Sequence, residues 1–376
     1  MGSYLSLVFY CLIFIVICLI YNSVDRINTN IKANKSKKIR YISKRKVKSI
    51  CLYIMILSIV CIIMFVRKEI GTDYHLYELY CQQYENHEIS FKSIYGGINT
   101  EIIPLIFVKI ASRFTNTINV FNLLCALFSY AFLVPSLFYY KRENKLWLMS
   151  FITLVLLFAP SMNILRQIMA LSVFIWGFRF CCNKEYKKYI LCCLLATLCH
   201  SSGIVTFAFI LFNLPKKKNV IYDRLILFLS LLLPLAFVNI FEVMGKIGFF
   251  SKYMAIYSNQ IGFQFDNRYL LAKAPVIIAL IVFWKKLESK EKDNRIFLLL
   301  FVVEIVAILM GSWMEWAFRV MYYGYLAEIV LIPQICSFFK GKNKIIVTIL
   351  IVLYYFLYFF ILHFYYSYDG IFPFTF

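Results

Sequence analysis

The stretch Pro160-Ser161-Met162-Asn163-Ile164-Leu165-Arg166-Gln167 opens an apolar run that reaches Cys182. A basic loop, Lys184-Glu185-Tyr186-Lys187-Lys188, follows, and a second apolar segment leads into Leu198-Cys199-His200-Ser201-Ser202-Gly203. A run of about 18–20 apolar residues crosses a ~30 Å hydrocarbon core as a helix that closes its own backbone hydrogen bonds. The arginine and the histidine at the two ends of this pair stand where a bilayer protein seldom keeps ionisable groups. That makes both of them site candidates.

Similar runs recur along all 376 residues, of which 62% are apolar and 19% aromatic. The mean hydropathy is +0.75, whereas a soluble domain is only about half apolar. The longest polar stretches, Asn22–Lys48 and Arg67–Thr100, are too short to bury a core of their own. The expectation is one all-α polytopic membrane domain over residues 1–376, with about 11–12 transmembrane helices and one short re-entrant pair. The run Leu5–Ile20 has neither a basic segment before it nor a small-residue cleavage site after it, so it reads as a retained helix.

The net charge of +21 would suit a nucleic-acid partner, but its placement argues against one. Lysine and arginine gather between Asp25 and Lys48, and again at Lys141–Lys145, Lys184–Lys188, Lys216–Lys218, Lys285–Arg295 and Lys340–Lys344. These are alternate loops, and the positive-inside rule puts them in the cytoplasm, with both termini outside. Attraction to anionic headgroups accounts for such loops without nucleic acid. Two long external loops follow: 67–117, with short helices, and 242–273. Nearly all of the twelve Cys lie in apolar runs, where the thiol packs as a small hydrophobe; Cys81 is expected in an external loop. The segment Tyr189–Leu214 has basic loops at both ends, so the chain must turn back within it. The turn falls at His200-Ser201-Ser202-Gly203 and leaves two helices of about 12 residues, too short to span untilted.

This topology places Asp73, His75, Glu78, Glu101, Arg166, Gln167, His200, Asp266, Arg268, Glu315, Arg319 and Glu328 towards the outer face. Arg166 and Arg319 each begin a helix that enters from outside. Free N–H groups and the helix dipole favour an anion there, and a guanidinium adds a planar fork for two phosphate oxygens. Together with Arg268 in its longer loop they are candidates for holding a pyrophosphate; the bland alternative is snorkelling to headgroups. Asp73 and Glu101 are candidate general bases, or else helix caps. His200 could donate to a phosphate, act as a base, or simply satisfy its turn. Tyr77 and Tyr74 are within reach of a sugar. No metal site and no cofactor is expected: Cys192, Cys193, Cys199 and His200 have a suggestive spacing but no second shell. Phosphate-cradling glycines of the nucleotide-binding kinds are absent from the sequence.

Arg166-Gln167-x-x-Ala170, the basic loop and Leu195-Ala196-x-x-x-His200-Ser201-Ser202 resemble the EpsG family of bacterial exopolysaccharide proteins, which are similar to Wzy-type O-antigen and capsule polymerases. Three further blocks match in order: Gly71-Thr72-Asp73-x-x-x-Tyr77, Glu101 with Leu105, and Arg319-Val320-Met321-Tyr322-Tyr323 with Pro333. In the second of these, Ile102 and Ile103 stand where the family usually has a glycine. The resemblance implies a GT-C-like polymerase in the bacterial cytoplasmic membrane. It would join undecaprenyl-pyrophosphate-linked repeat units at the outer face by inverting, metal-independent transfer. Asp73, His200 and Glu101 would be catalytic, Arg166 and Arg319 would bind pyrophosphate, with Arg268 a further candidate from its charge and loop alone, and Tyr77, Gln167 and Tyr323 would bind sugar. Partners would be the lipid-linked oligosaccharide, the bilayer, and a chain-length regulator and a flippase of the same pathway. A flippase, or another membrane glycosyl- or acyltransferase acting on a polyprenyl-linked glycan, is the alternative. A flippase usually shows two related halves, and the chain has no internal repeat.

Overall fold

The structure is a computed structural model that describes residues 2–33, 39–86, 101–141, 145–214, 268–311 and 315–375. Among the described residues the chain is helical, with no strand. Among the described residues, eight helices are long and apolar enough to cross a membrane: Ser3–Ile27, Val47–Val66, Thr117–Tyr140, Leu146–Asn163, Leu165–Cys182, Asn294–Gly311, Phe318–Phe338 and Gly341–Tyr365. At 1.5 Å per residue, their 18–25 residues extend roughly 27–38 Å, enough for the ~30 Å hydrocarbon core. The protein is an all-α polytopic membrane protein. The expected crossing at 225–241 and most of the expected loop at 242–273 lie outside the described residues.

The chain forms two compact units. The first comprises Met1–Gly177, Leu191–Ile204 and Cys336–Phe376. Helices α1 (Ser3–Ala33), α2 (Ile39–Val66), α5 (Thr117–Tyr140) and α6 (Leu146–Asn163) lie in it, with the short α3 (Tyr74–Glu85) and α4 (Ile102–Ala111) between α2 and α5. Helix α7 (Leu165–Cys182) begins one residue after α6 ends. Almost every side chain of α6 is buried, so its apolar residues run nearly unbroken instead of following one stripe. Helices α1 and α2 keep only about a third of their spans buried (33% and 28%), and exposed Leu12, Ile15, Leu19, Ile54 and Ile62 suit contact with lipid. Edge-to-face rings of Tyr10, Phe14 and Phe158 tie α1 to α6.

The expected turn within 189–214 is present. Helix α8 (Tyr186–Cys199) ends at His200, and Ser201–Asn213 continues as a 3₁₀ helix. A 3₁₀ helix rises about 2.0 Å per residue, so these 13 residues reach roughly 26 Å, further than an α-helix of the same length. Glycine is required at the turn: a Cβ on Gly203 would sit 2.5 Å from the Ala196 carbonyl carbon.

The second unit, Phe178–Ile190 and Val205–Ile335, contains α9 (Arg268–Lys290), α10 (Asn294–Gly311) and α11 (Met321–Ile335). Its polar centre is Lys273 of α9, which pairs with Glu328 of α11 and lies 3.0 Å from Glu304 of α10. All three side chains are about 1% exposed or less, and the Lys273 ammonium sits 4.1 Å from the Tyr325 ring centroid. Glu328 is therefore a buried ion-pair partner and not an outer-face group as its sequence position suggested. The deciding cation, Lys273, lies 55 residues away in sequence. Gly324 gives α11 its close approach to Glu304, since a Cβ there would come 2.3 Å from the Glu304 Cβ.

Helix α12 (Gly341–Phe359) continues through one turn of wider π winding, Phe360–Tyr365, and the last residues fold back onto the first unit. The N–H groups of Gly71 and Thr72 donate to the carbonyls of Gly370 and Asp369, and Lys68 donates to Thr375. Tyr10 donates to the Ile371 carbonyl at 2.9 Å, and the Phe374 N–H donates to Ser6 Oγ at 2.9 Å.

Candidate active site

Helix α2 ends at Val66, and the next residue, Arg67, is fully buried. Its guanidinium donates to the carbonyls of Met162 and Ile70 and to Asn122 Oδ1 at 3.0 Å. These are neutral oxygens, and burial pulls the Arg67 pKa down to about 10. The arginine thus staples the start of the 67–73 loop to the end of α6. Gly71 follows at φ +98°, a left-handed conformation that glycine adopts without strain, and a Cβ there would meet the Met162 carbonyl oxygen at 2.6 Å.

Asn163, the last residue of α6, holds the rest of that loop. Its Oδ1 accepts from Thr72 Oγ1 at 2.9 Å and from the Asp73 backbone N–H at 2.8 Å, and its Nδ2 donates to Asp369 Oδ1 at 3.0 Å. The N–H of Asp73 can only donate, which assigns the amide orientation. Asp369 Oδ2 in turn lies 3.0 Å from His363 Nδ1, and both residues are buried. Asp73 stands at the N-cap position of α3 with its side chain making no capping bond, so the capping role considered for it is not what the carboxylate does.

Tyr77 lies one turn further along α3 and is buried. Its hydroxyl is pushed up to about 12, mainly by burial; Arg166 opposes the shift and Asp73 adds to it. Tyr77 therefore lies within electrostatic reach of both Asp73 and Arg166. Arg166 sits in the first turn of α7, and its Nη1 donates to Glu101 Oε2 at 2.5 Å. Its guanidinium carbon is 5.9 Å from the ring centroids of both Tyr77 and Tyr80. Glu101 occupies the N-cap position of α4 without capping it, since its carboxylate is turned to the arginine. Cys199, next to His200, lies close enough to feel the Glu101 charge.

His200 is nearly buried. Its Nδ1 accepts from the Ser202 backbone N–H at 3.2 Å and meets Ser202 Oγ at 2.8 Å. Because the backbone N–H must donate, neutral His200 carries its proton on Nε2. The ring thus satisfies the turn through Nδ1. Gln167 is 1% exposed. Arg268 begins α9 and is exposed, and half-buried Arg319 lies in the 3₁₀ turn Glu315–Val320. Tyr323 is fully buried, its ring 6.4 Å from that of Phe209. Arg268, Arg319 and Tyr323 belong to the second unit, whereas Asp73, Tyr77, Glu101, Arg166, Gln167 and His200 belong to the first.

A family model described as "EpsG family" matches residues 49–376. The chain belongs to the EpsG family. This is the family of exopolysaccharide, Wzy-like polymerases of the bacterial inner membrane, and the protein is a membrane protein of exopolysaccharide-polymerase type. Comparison with curated proteins and with solved structures gave no match. The EpsG match includes the 67–73 loop, both ends of the 160–203 stretch, and the C-terminal tail.

Five residues around this candidate site escaped sequence reasoning: Arg67, Tyr80, Asn163, His363 and Asp369. Tyr80 carried one available signal, since it falls i+3 from Tyr77 on a helix. Asp369 and His363 carried none, because Asp369 meets Asn163 across 206 residues. Cys81 was expected to be open to solvent, but it faces inward from α3, and burial pushes its thiol up to about 12. Scarce thiolate removes it as a reporter of topology.

The Asn163–Asp369 bond gives a direct prediction. Asn163→Asp keeps the acceptor for Asp73 N–H but sets two carboxylates about 3 Å apart, which cannot both stay ionised at low cost. Polymer output is expected to fall at least roughly tenfold, the scale of a loss near 1.4 kcal/mol. Combining it with Asp369→Asn reverses donor and acceptor and restores one carboxylate, so output should recover. Measuring polymer and protein level in the single and double variants tests this, and no recovery would remove the bond from the site's support.

Proposed function

We propose that the protein joins undecaprenyl-pyrophosphate-linked oligosaccharide units into exopolysaccharide or capsule at the outer face of the membrane, as an inverting, metal-independent glycosyltransferase. The observation that carries the reading is the Arg166 guanidinium at the start of α7, held by Glu101 and flanked by Tyr77 and Tyr80. A guanidinium has five N–H donors. The Glu101 bond uses one nitrogen, and further edges of the fork suit phosphate oxygens. Fixed positive charge there stabilises the leaving pyrophosphate as its bond to the sugar breaks.

In this reading a hydroxyl of the acceptor's end sugar attacks the anomeric carbon of the donor glycan. The new C–O bond forms as the bond to polyprenyl pyrophosphate breaks, and the hydroxyl proton passes to a carboxylate. A carboxylate committed to an arginine at 2.5 Å is a weak base. This favours Asp73 for the proton and Glu101 for positioning Arg166. His200 keeps its proposed catalytic role on its sequence motif. The sugar-binding role of Tyr77 fits its place between Asp73 and Arg166. Gln167, Tyr323 and Arg319 keep their proposed roles on sequence motifs alone, Arg268 on its charge in the 242–273 loop, and cooperation with a flippase and a chain-length regulator on the family resemblance.

Deletion of the protein tests the reading. Single repeat units on their lipid carrier are expected to accumulate in the outer leaflet. Accumulation confined to the inner leaflet would identify a flippase and overturn the polymerase.

A further inference from the structure

On the side of the basic loops, helices α1, α6 and α12 leave a groove with a volume of ≈ 580 Å³. That is within the range of ligand sites, about 300–1,000 Å³. Cys11, Phe14 and Leu19 of α1, Trp147 of α6, and Leu353 and Phe356 of α12 are among its walls. Beyond its end lies a smaller cavity of ≈ 160 Å³ bordered by Lys145, Lys344, Gly341 and Thr348. Ile349 lines both spaces. A long apolar trough thus runs into a small basic chamber.

The dimensions select an occupant. From Lys344 in the chamber to Phe356 in the trough the two spaces together follow twelve residues of α12, roughly 18 Å of helix, of which the apolar trough from Ile349 takes roughly 10 Å. One leaflet of hydrocarbon is about 15 Å deep, half of the ~30 Å core. The trough therefore suits chains that stay in one leaflet. The chamber carries two ammonium groups, and among the described residues neither meets a carboxylate within ion-pair distance. Gly341 stands at φ +52° with open space where a Cβ would be, so the start of α12 is clear on that side. Trp147 lies under the Lys145 ammonium, 5.9 Å from Nζ to ring centroid, as an interfacial aromatic does.

We propose that the trough and chamber bind one anionic phospholipid of the leaflet on the basic-loop side, with its phosphate between Lys145 and Lys344 and its acyl chains along α1 and α12. None of these residues belongs to the proposed glycosyl-transfer site.

The test uses the purified full-length protein, with Trp176, Trp284, Trp313 and Trp316 changed to Phe so that Trp147 alone reports. Phosphatidylglycerol with brominated acyl chains is expected to quench Trp147 at lower mole fraction than brominated phosphatidylcholine. Lys145→Ala with Lys344→Ala should remove that preference, a loss of roughly thirtyfold in apparent affinity for two lysines near an anionic headgroup. Soluble glycerol phosphate should not compete. Equal quenching by the two lipids, or an unchanged preference in the double variant, overturns the proposal. Competition by glycerol phosphate would show a bare anion site and also overturns it, and so does a Trp147 that neither lipid quenches, the result expected if a second copy covers the trough. Should the four-Phe background fail to fold, native mass spectrometry gives the same comparison on the otherwise unaltered protein and its Lys145→Ala, Lys344→Ala variant. Retained phosphatidylglycerol should be lost from the variant, and equal retention overturns the proposal.

Discussion

Replacing Arg166 by lysine is expected to leave the protein folded in the membrane and to cut polymer formation by a factor of about 10²–10³, the scale seen when one fixed donor to a developing charge is removed. The two side chains carry the same charge, so the effect isolates geometry. Arginine at 166 can hold Glu101 at 2.5 Å with one nitrogen, lie beside the rings of Tyr77 and Tyr80, and still direct N–H groups elsewhere. An ammonium is a compact, strongly hydrated point with no planar fork. It can keep Glu101 or meet a pyrophosphate, but it cannot present a two-oxygen edge while doing both. The ion pair and the apolar face of α7 survive, so protein level should stay near normal. The check is polymer mass and length in cells that carry the variant at matched membrane abundance. Polymer near the unaltered level would take Arg166 out of the site.

Replacing Lys273 by methionine is expected to have the largest effect on stability. The change leaves Glu304 and Glu328, both about 1% exposed or less, beside each other with no cation. Removing one member of a buried ion pair costs about 3–5 kcal/mol, because the charge left behind has no compensation. That is much of the 5–15 kcal/mol by which a folded protein is usually stable, so the variant should fail to accumulate. Adding Glu304→Gln and Glu328→Gln removes the orphaned charges. An ion group replaced whole by neutral groups is often tolerated, so the triple variant should return to the membrane with a melting temperature near the original. Normal accumulation of Lys273→Met alone, or no recovery in the triple variant, would show that the cluster is not what holds α9, α10 and α11 together.

These two expectations separate what each kind of residue disclosed in advance. Arg166 was visible in the sequence as a cation at the start of an apolar run, and its candidacy needed only hydropathy and helix polarity. Glu101 and Asp73 were visible as acidic residues of short motifs in the polar, tyrosine-bearing loop after α2. Their division of labour was not visible, because both stand where an N-cap would be and neither caps. Only the position of Arg166 shows which carboxylate it engages. Glu328 was misplaced for the same reason in reverse: topology counts put it near the outer face, and the buried ammonium of Lys273 explains why it can sit within the second unit.

By itself the sequence determined that the chain is a bundle of membrane helices, that it doubles back at His200, and which short motifs it shares with the EpsG family. Those properties are local. A segment spans because its own side chains prefer hydrocarbon and its own backbone is satisfied within one helix, and a turn between two basic loops follows from counting. Only the tertiary structure decided that Asn163 holds the Thr72 hydroxyl and the Asp73 backbone, that Asp369 and the C-terminal tail brace it, and that Lys273 is set against two acids from separate helices. Those contacts join residues 31 to 206 positions apart. Hydropathy says that a polar group inside a bilayer protein must find a partner; the packing of the helices chooses which partner it is.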